Sequence, residues 1–328
     1  MAEQVWRLRR RGPLLRPFCA RHRLEPRGCS RRVRRAMVDF GAEDSFAVAA
    51  ARMQEHHGLR VSAWRVREHT YRHARALAAL EPCPRPPSAV LVTQIDGSMI
   101  PVLEPAPAGC GDKRRARKVS WRETRACLAR DHSSATPLYG ATLGSAEVAG
   151  LLWRQVAQSA GLMGKTFVHV IADGAPWIFP QARTQFGEKL ACLVDFYHVS
   201  EYVAAAAPPG KKAKAWLRRQ QDHLLANRAG QVLRNLAPRR EPSTATERPV
   251  AEAYRYIQER KEHLDYAGAR KQKLPIGSGE IESAHRHLIQ PRLKIPGAWK
   301  ETHAQQMLSL RTARANGLWQ KSWNSQLI

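Results

Sequence analysis

"AVLVTQIDG" (residues 89–97) and "VHVIADGAP" (residues 168–176) share one construction: an apolar, β-branched run ends on an acid, and glycine follows at once. Runs of Val and Ile bounded by Gly and Pro read as buried strands. An ionised Asp at the end of such a strand is costly to desolvate unless something pairs with it, and a metal ion is one such partner. Taken singly, either acid could merely cap a turn. The rest of the chain decides between the two readings.

Two further stretches deliver acids. "LACLVDFYH" (190–198) reads as a strand carrying Asp195 and His198, and the glycine-rich "PIGSGEIES" (275–283) opens a helix at about Glu280, with Glu282 in the same turn. Around them the texture alternates between β and α. Strands are expected at 89–96, 99–103, 118–131, 165–173 and 189–198, with Gly97 turning the first back into the second. Helices are expected at 144–160 and 177–186. Residues 199–274 are rich in Ala, Lys, Arg and Gln, are broken by five prolines and hold no strand-like run, so they read as an all-helical insertion. A last amphipathic helix over 301–315 buries Met307, Leu308 and Leu310.

Three antiparallel strands, a helix and then parallel strands give the order of a ribonuclease-H-like mixed α/β sheet. In such a sheet, carboxylates at adjacent strand ends can converge with an acid from a later helix. Such a trio can hold two Mg²⁺ ions about 3.5–4 Å apart, which activate an attacking oxygen and stabilise the leaving one in phosphodiester displacement. Hard cations take oxygen ligands and keep waters, so three acids suffice.

Composition supports a polyanionic partner. The 328 residues carry 54 Lys and Arg against 28 Asp and Glu, a net charge of +26, which points to nucleic acid. Twelve arginines lie between Arg7 and Arg35 as a basic arm. Beyond it, "DSFAVAAARMQEHHG" and, after Ser62, "AWRVREHTYRHARALAAL" read as two helices across a short Gly turn, the outline of a helix-turn-helix with Arg65, Arg67 and Arg72 on its second helix. "EPCPRPPS" (81–88) makes a stiff linker. The six cysteines form no C-x-x-C pair, and Cys19, His22 and Cys29 lack a fourth zinc ligand at workable spacing. With no apolar run long enough to span a bilayer and no secretory signal core, a cytoplasmic, nucleoid-associated protein is expected.

The stretches "QIDGSMIPV", "HVIADGAPWI", "LVDFYHVSEYV", "PIGSGEIESAHRHLIQPRLK" and "MLSLRTARANGLW" occur in this order, behind "GAEDSFAVAAARMQEHHGLRVSAWRVREHT". Together they resemble insertion-sequence transposases with an Asp-Asp-Glu triad, in the Mutator-like group and closest to the bacterial Kra-type elements. The resemblance spans most of residues 40–323. It implies Asp96, Asp173 and Glu282 as catalytic metal ligands for two Mg²⁺ ions, with Mn²⁺ as the alternative. It makes Asp195 and His198 a supporting pair and residues 199–274 the family's insertion. Double-stranded DNA, both element ends and target, would be the partner of a homo-oligomer without membrane contact. Lys271, Lys273, Arg286, Arg292 and Lys294 would meet phosphate. One departure is that Ile295-Pro296-Gly297-Ala298-Trp299 stands where the family often has a glycine-rich turn.

The expected domains are a basic arm (1–40), a helix-turn-helix-like region (41–80), a catalytic domain (88–198 and 275–316), the helical insertion (199–274) and a C-terminal tail (317–328). Two rival readings stand beside the transposase. One is a ribonuclease-H-like nuclease that hydrolyses without strand transfer; the other is a decayed or domesticated copy that only binds DNA.

Overall fold

The computed structural model describes residues 5–7, 14–21, 29–78, 80–105 and 117–324. Arg9, Arg10, Arg11, Arg23 and Arg27 of the basic arm, together with His22 and Cys110, lie outside the described residues. The chain divides into two compact units, one of Met1–Ala79 with Gln320–Ile328 and one of Leu80–Trp319.

Three helices build the core of the first unit: α1 (Arg31–Glu43), α2 (Phe46–His57) and α3 (Ala63–Leu77). A serine starts each of them. Ser30, Ser45 and Ser62 accept hydrogen bonds from the backbone N–H of Val33, Val48 and Arg65, satisfying a donor that the first turn leaves open. Met37, Ala49, Met53 and Val66 form the shared core. Helix α1 falls inside the stretch expected to be an arm. Its Met37, Val38, Gly41 and Ala42 are buried, an apolar stripe that the density of arginine conceals in the sequence. Residues Gln320 to Asn324, expected as a tail, also belong here: Trp323 stacks on the buried His73 ring, with centroids 4.2 Å apart.

The second unit is built on a mixed five-stranded sheet. Its strands are β1 (Val90–Leu103), β2 (Val119–Asp131), β3 (Leu138–Thr142), β4 (Phe167–Ala172) and β5 (Leu190–Val194). The spatial order is β3-β2-β1-β4-β5. Strand β2 runs antiparallel to both of its neighbours, β1 and β3, and β4 and β5 run parallel to β1. Helix α4 (Ala146–Ser159) crosses from β3 to β4, and α5 (Ile178–Phe186) from β4 to β5. The pleat sends Thr93 and Ile95 to the α4 side, where Trp153 donates its indole N–H to Thr93 Oγ1 at 2.5 Å.

After β5 the described chain is helical: α6 (Phe196–Ala205), α7 (Ala213–Leu225), α8 (Ala229–Leu236), α9 (Pro249–Arg260), α10 (Tyr266–Lys271), α11 (Gly279–Ala284) and α12 (Glu301–Ala315). Gln305 and Asn316 cover the edge strand β3, Asn316 by two 2.8 Å bonds to the Tyr139 backbone. An unpaired edge is a site for unwanted strand addition, and these two amides close it.

Three expectations are corrected. Asp96-Gly97 is not a turn: β1 runs through it, because thirteen consecutive pairs with β2 hold the chain extended. The third antiparallel strand is instead Leu138–Thr142, too short and Gly-containing to stand out. The run 189–198 is not all strand either, for β5 stops at Val194 and Asp195 caps α6. No described helix is long and apolar enough to cross a membrane. Cys29, Cys127 and Cys192 form no disulfide.

Candidate active site

The parallel register of β1 and β4 pairs Gln94 with Ile171. Continued by two residues, it sets Asp96 beside Asp173, one residue past the end of β4. Neighbouring strands lie about 4.8 Å apart, so the two carboxylates leave the sheet as neighbours. Period-two alternation also puts Gln94 and Asp96 on one face of β1, and His169, Ile171 and Asp173 on the same face of β4. That face receives residues 274–284.

Each turn of that segment is tied down. His169 Nε2 donates to the Pro275 carbonyl at 2.8 Å, and the Phe196 N–H donates to the Ile276 carbonyl at 2.9 Å. Asp195, which is buried, works in two directions. Its Oδ1 accepts the N–H groups of Tyr197 and His198 at the start of α6, while Oδ2 accepts the Ser278 N–H at 2.5 Å and the Ser278 hydroxyl. A side chain at Gly277 would stand 2.7 Å from the Tyr197 ring, so only glycine lets the segment pass there. Gln94 Oε1 then accepts the Ile281 N–H at 2.9 Å, pinning α11 to β1 two residues from Asp96.

Helix α11 presents its two acids to different partners. Glu280 is gripped by Arg130 of β2, with Nε–Oε2 at 2.8 Å and Nη2–Oε1 at 2.6 Å. Glu282 acts on Asp96. Burial first, then the charges of Asp173 and Glu282, push the Asp96 carboxyl up to about 6, while the Gly97 N–H and His198 pull it down.

The backbone behind Asp173 is clamped from α9. The Tyr256 hydroxyl donates to the Asp173 carbonyl, and Arg260 Nε donates to the Gly174 carbonyl at 3.0 Å. Gly174 adopts φ +76°, a conformation that side chains disfavour, which lets the chain leave β4 abruptly. His198 stands edge-on to Tyr202 and Tyr256, with its Nδ1 3.7 Å from Glu201.

A residue outside the expected set also reaches the acids: His285 Nε2 lies 3.3 Å from Asp96 Oδ2. Burial, then Lys294, depress this imidazole to about 4, against the pull of the Asp96 carbonyl, so the ring is neutral at pH 7. A π-turn at His285–Ile289 puts it there, marked by the Gln290 N–H reaching back five residues to the His285 carbonyl. Pro291 has no N–H for the carbonyl of His287 four residues earlier. Arg311 of α12 supplies the missing donors, giving 2.6 Å bonds to the carbonyls of His287 and Leu288.

The basic candidates are dispersed. Arg72, Lys271, Lys273, Arg286 and Lys294 are exposed, while Arg65 and Arg67 are half-buried on α3. Arg292 is buried with its guanidinium 4.7 Å from the Trp299 ring centroid, a placement inside the fold rather than on its surface.

Among the described residues, no three His, Cys, Asp or Glu side chains are gathered closely enough to hold a metal ion. The three acids are in electrostatic reach of one another without standing at ligand spacing. Their chemistry still fits a hard cation. Burial and the charges of Asp173 and Glu282 oppose ionisation of Asp96, in a chain that carries +26 overall. No protein-family model matches the chain, and no curated protein matches it in sequence.

Proposed function

We propose that this chain is an Asp-Asp-Glu transposase that cuts and rejoins DNA, with Asp96, Asp173 and Glu282 as ligands for divalent cations, Mg²⁺ or Mn²⁺. The observation that carries the reading is that Asp173, just past the end of β4, and Glu282 of α11 both act to raise the Asp96 carboxyl on the adjacent strand β1. The sheet order β3-β2-β1-β4-β5, with β2 antiparallel to its neighbours and β4 and β5 parallel to β1, supports a ribonuclease-H-like fold. The three-helix unit supports a helix-turn-helix role, with Arg65, Arg67 and Arg72 of α3 toward DNA.

Two cations bound at these acids would supply the charge that activates an attacking oxygen and stabilises the leaving one. The remaining residues serve orientation. Gln94 and the Arg130–Glu280 pair set the rotation of α11 and so the aim of Glu282. Tyr256 and Arg260 hold the backbone from which Asp173 projects. Asp195 supports the site by tying α6 to the Ser278 turn, and His198 lies on the first turn of the same helix. Lys271, Lys273, Arg286 and Lys294 offer phosphate contacts. The chain would act as a homo-oligomer on element ends, nucleoid-associated in the cytoplasm.

The test is a strand-transfer assay with Mg²⁺ on duplexes cut from the DNA flanking the gene. Joined products that vanish in Asp173→Asn support the reading. Cleavage without joining would move the protein to the hydrolytic nucleases, and binding without cleavage would leave a DNA-binding protein.

A further inference from the structure

Strands β1 and β2 are much longer than their neighbours. Strand β4 pairs with β1 only over residues 90–94, and β3 pairs with β2 only over residues 125–129. Residues 98–103 and 119–124 therefore pair with each other beyond the reach of β3 and β4, as a ribbon running on from the level of Asp96 that Trp299 joins by one bridge at Val102. One face of this ribbon is covered: Ile100 and Val102 are buried, and Trp299 exchanges 3.0 and 2.7 Å backbone bonds with Pro101 and Leu103.

The opposite face is bare. Trp121, opposite Pro101, is 61% exposed, with Val119 (57%) and Met99 (44%) on the same side. A two-stranded ribbon is marginal by itself, and three large apolar side chains in water on one face call for an occupant. The exposed Arg117 and Lys118 lead into the same end of β2. A second copy of the chain would bring another +26 of like charge to this surface. A polyanion with flat apolar faces satisfies both the charge and the aromatic ring.

We propose that the ribbon is a DNA-tracking arm, with Trp121 packing on a sugar or base and Arg117 and Lys118 on phosphates. This rests on the functional reading above and extends it to a contact away from the acids. Trp121 lies five residues along the ladder from the level of Asp96, about 17 Å at strand rise. That is the length of about five base pairs, so one duplex reaches both the acids and the arm.

The experiment measures binding of the full chain to a mixed-sequence duplex across a salt series, for wild type, Trp121→Ala and the double variant Arg117→Ala/Lys118→Ala. Unchanged melting temperatures establish that these surface variants fold. Trp121→Ala is expected to weaken binding about 5- to 10-fold. The double variant should lower the slope of log K against log salt by about 2. Wild-type binding and slope in both variants would overturn the arm while leaving the transposase reading intact. A wild-type dimer that Trp121→Ala splits, with DNA affinity unchanged, would overturn it in favour of self-association. A wild-type protein that binds no DNA would overturn both proposals.

Discussion

Asp96 carries the electrostatic cost of the acid cluster. Its carboxyl sits near 6 in the folded protein against 3.8 ordinarily, so the folded state holds the proton more tightly than the unfolded one. The stability linked to this group is full below pH 3.8 and is lost as pH rises through 6. Replacing Asp96 with Asn removes that loss. Two units correspond to about 3 kcal/mol, and screening at a side chain 31% exposed reduces this to about 1–2 kcal/mol. Asp96→Asn is therefore expected to be the more stable protein at pH 7 without divalent cations, with the advantage gone near pH 4, by urea denaturation at both pH values. An equal difference at both would show that burial and repulsion do not act on this carboxyl. Glu280 makes a second residue-scale case. Glu280→Gln should lose about 1 kcal/mol of stability, and a double-mutant cycle with Arg130→Met should recover most of it as coupling. Additive losses would mean that the ion pair does not orient α11.

At the scale of elements, the decisive join is between α12 and the π-turn. Arg311→Met would leave the buried Leu288 carbonyl and the part-buried His287 carbonyl without this donor, an expected cost of about 1–3 kcal/mol in thermal or chemical denaturation. A loss under about 0.5 kcal/mol would mean the turn does not depend on it. This join also marks where the sequence stops being readable. The strands around Asp96 and Asp173 announce themselves by β-branched runs, and Ser45, Ser62 and Gly58 announce the ends of α2 and α3. Glu282 was legible only through a motif. His285 was not legible at all, because helical spacing assumes 3.6 residues per turn and the π-turn inserts one more. Pro291 is the one local sign that a carbonyl there would need another donor. Asp195 was legible as an acid after a strand, but its work as a cap and as an acceptor for Ser278 depends on a contact across 83 residues.

Over the whole molecule, a chain of +26 sets Asp173 and Glu282 where their charges act on Asp96, at the meeting of two strands and a helix. The basic residues, from α3 to Lys294, are spread over both units, so DNA affinity is expected to fall steeply with salt. A binding constant that barely changes between low and physiological salt would contradict a phosphate-led interface. The central claim is that Asp96, Asp173 and Glu282 form one cation-dependent phosphodiester site. Nicking of supercoiled plasmid in Mg²⁺, Mn²⁺ or EDTA tests it most directly, comparing wild type with Asp96→Asn, Asp173→Asn and Glu282→Gln at matched folding. The account expects nicking by the wild type with either cation, none in EDTA, and none by any of the three variants. Nicking that survives in EDTA, or in any one of those variants, would contradict it.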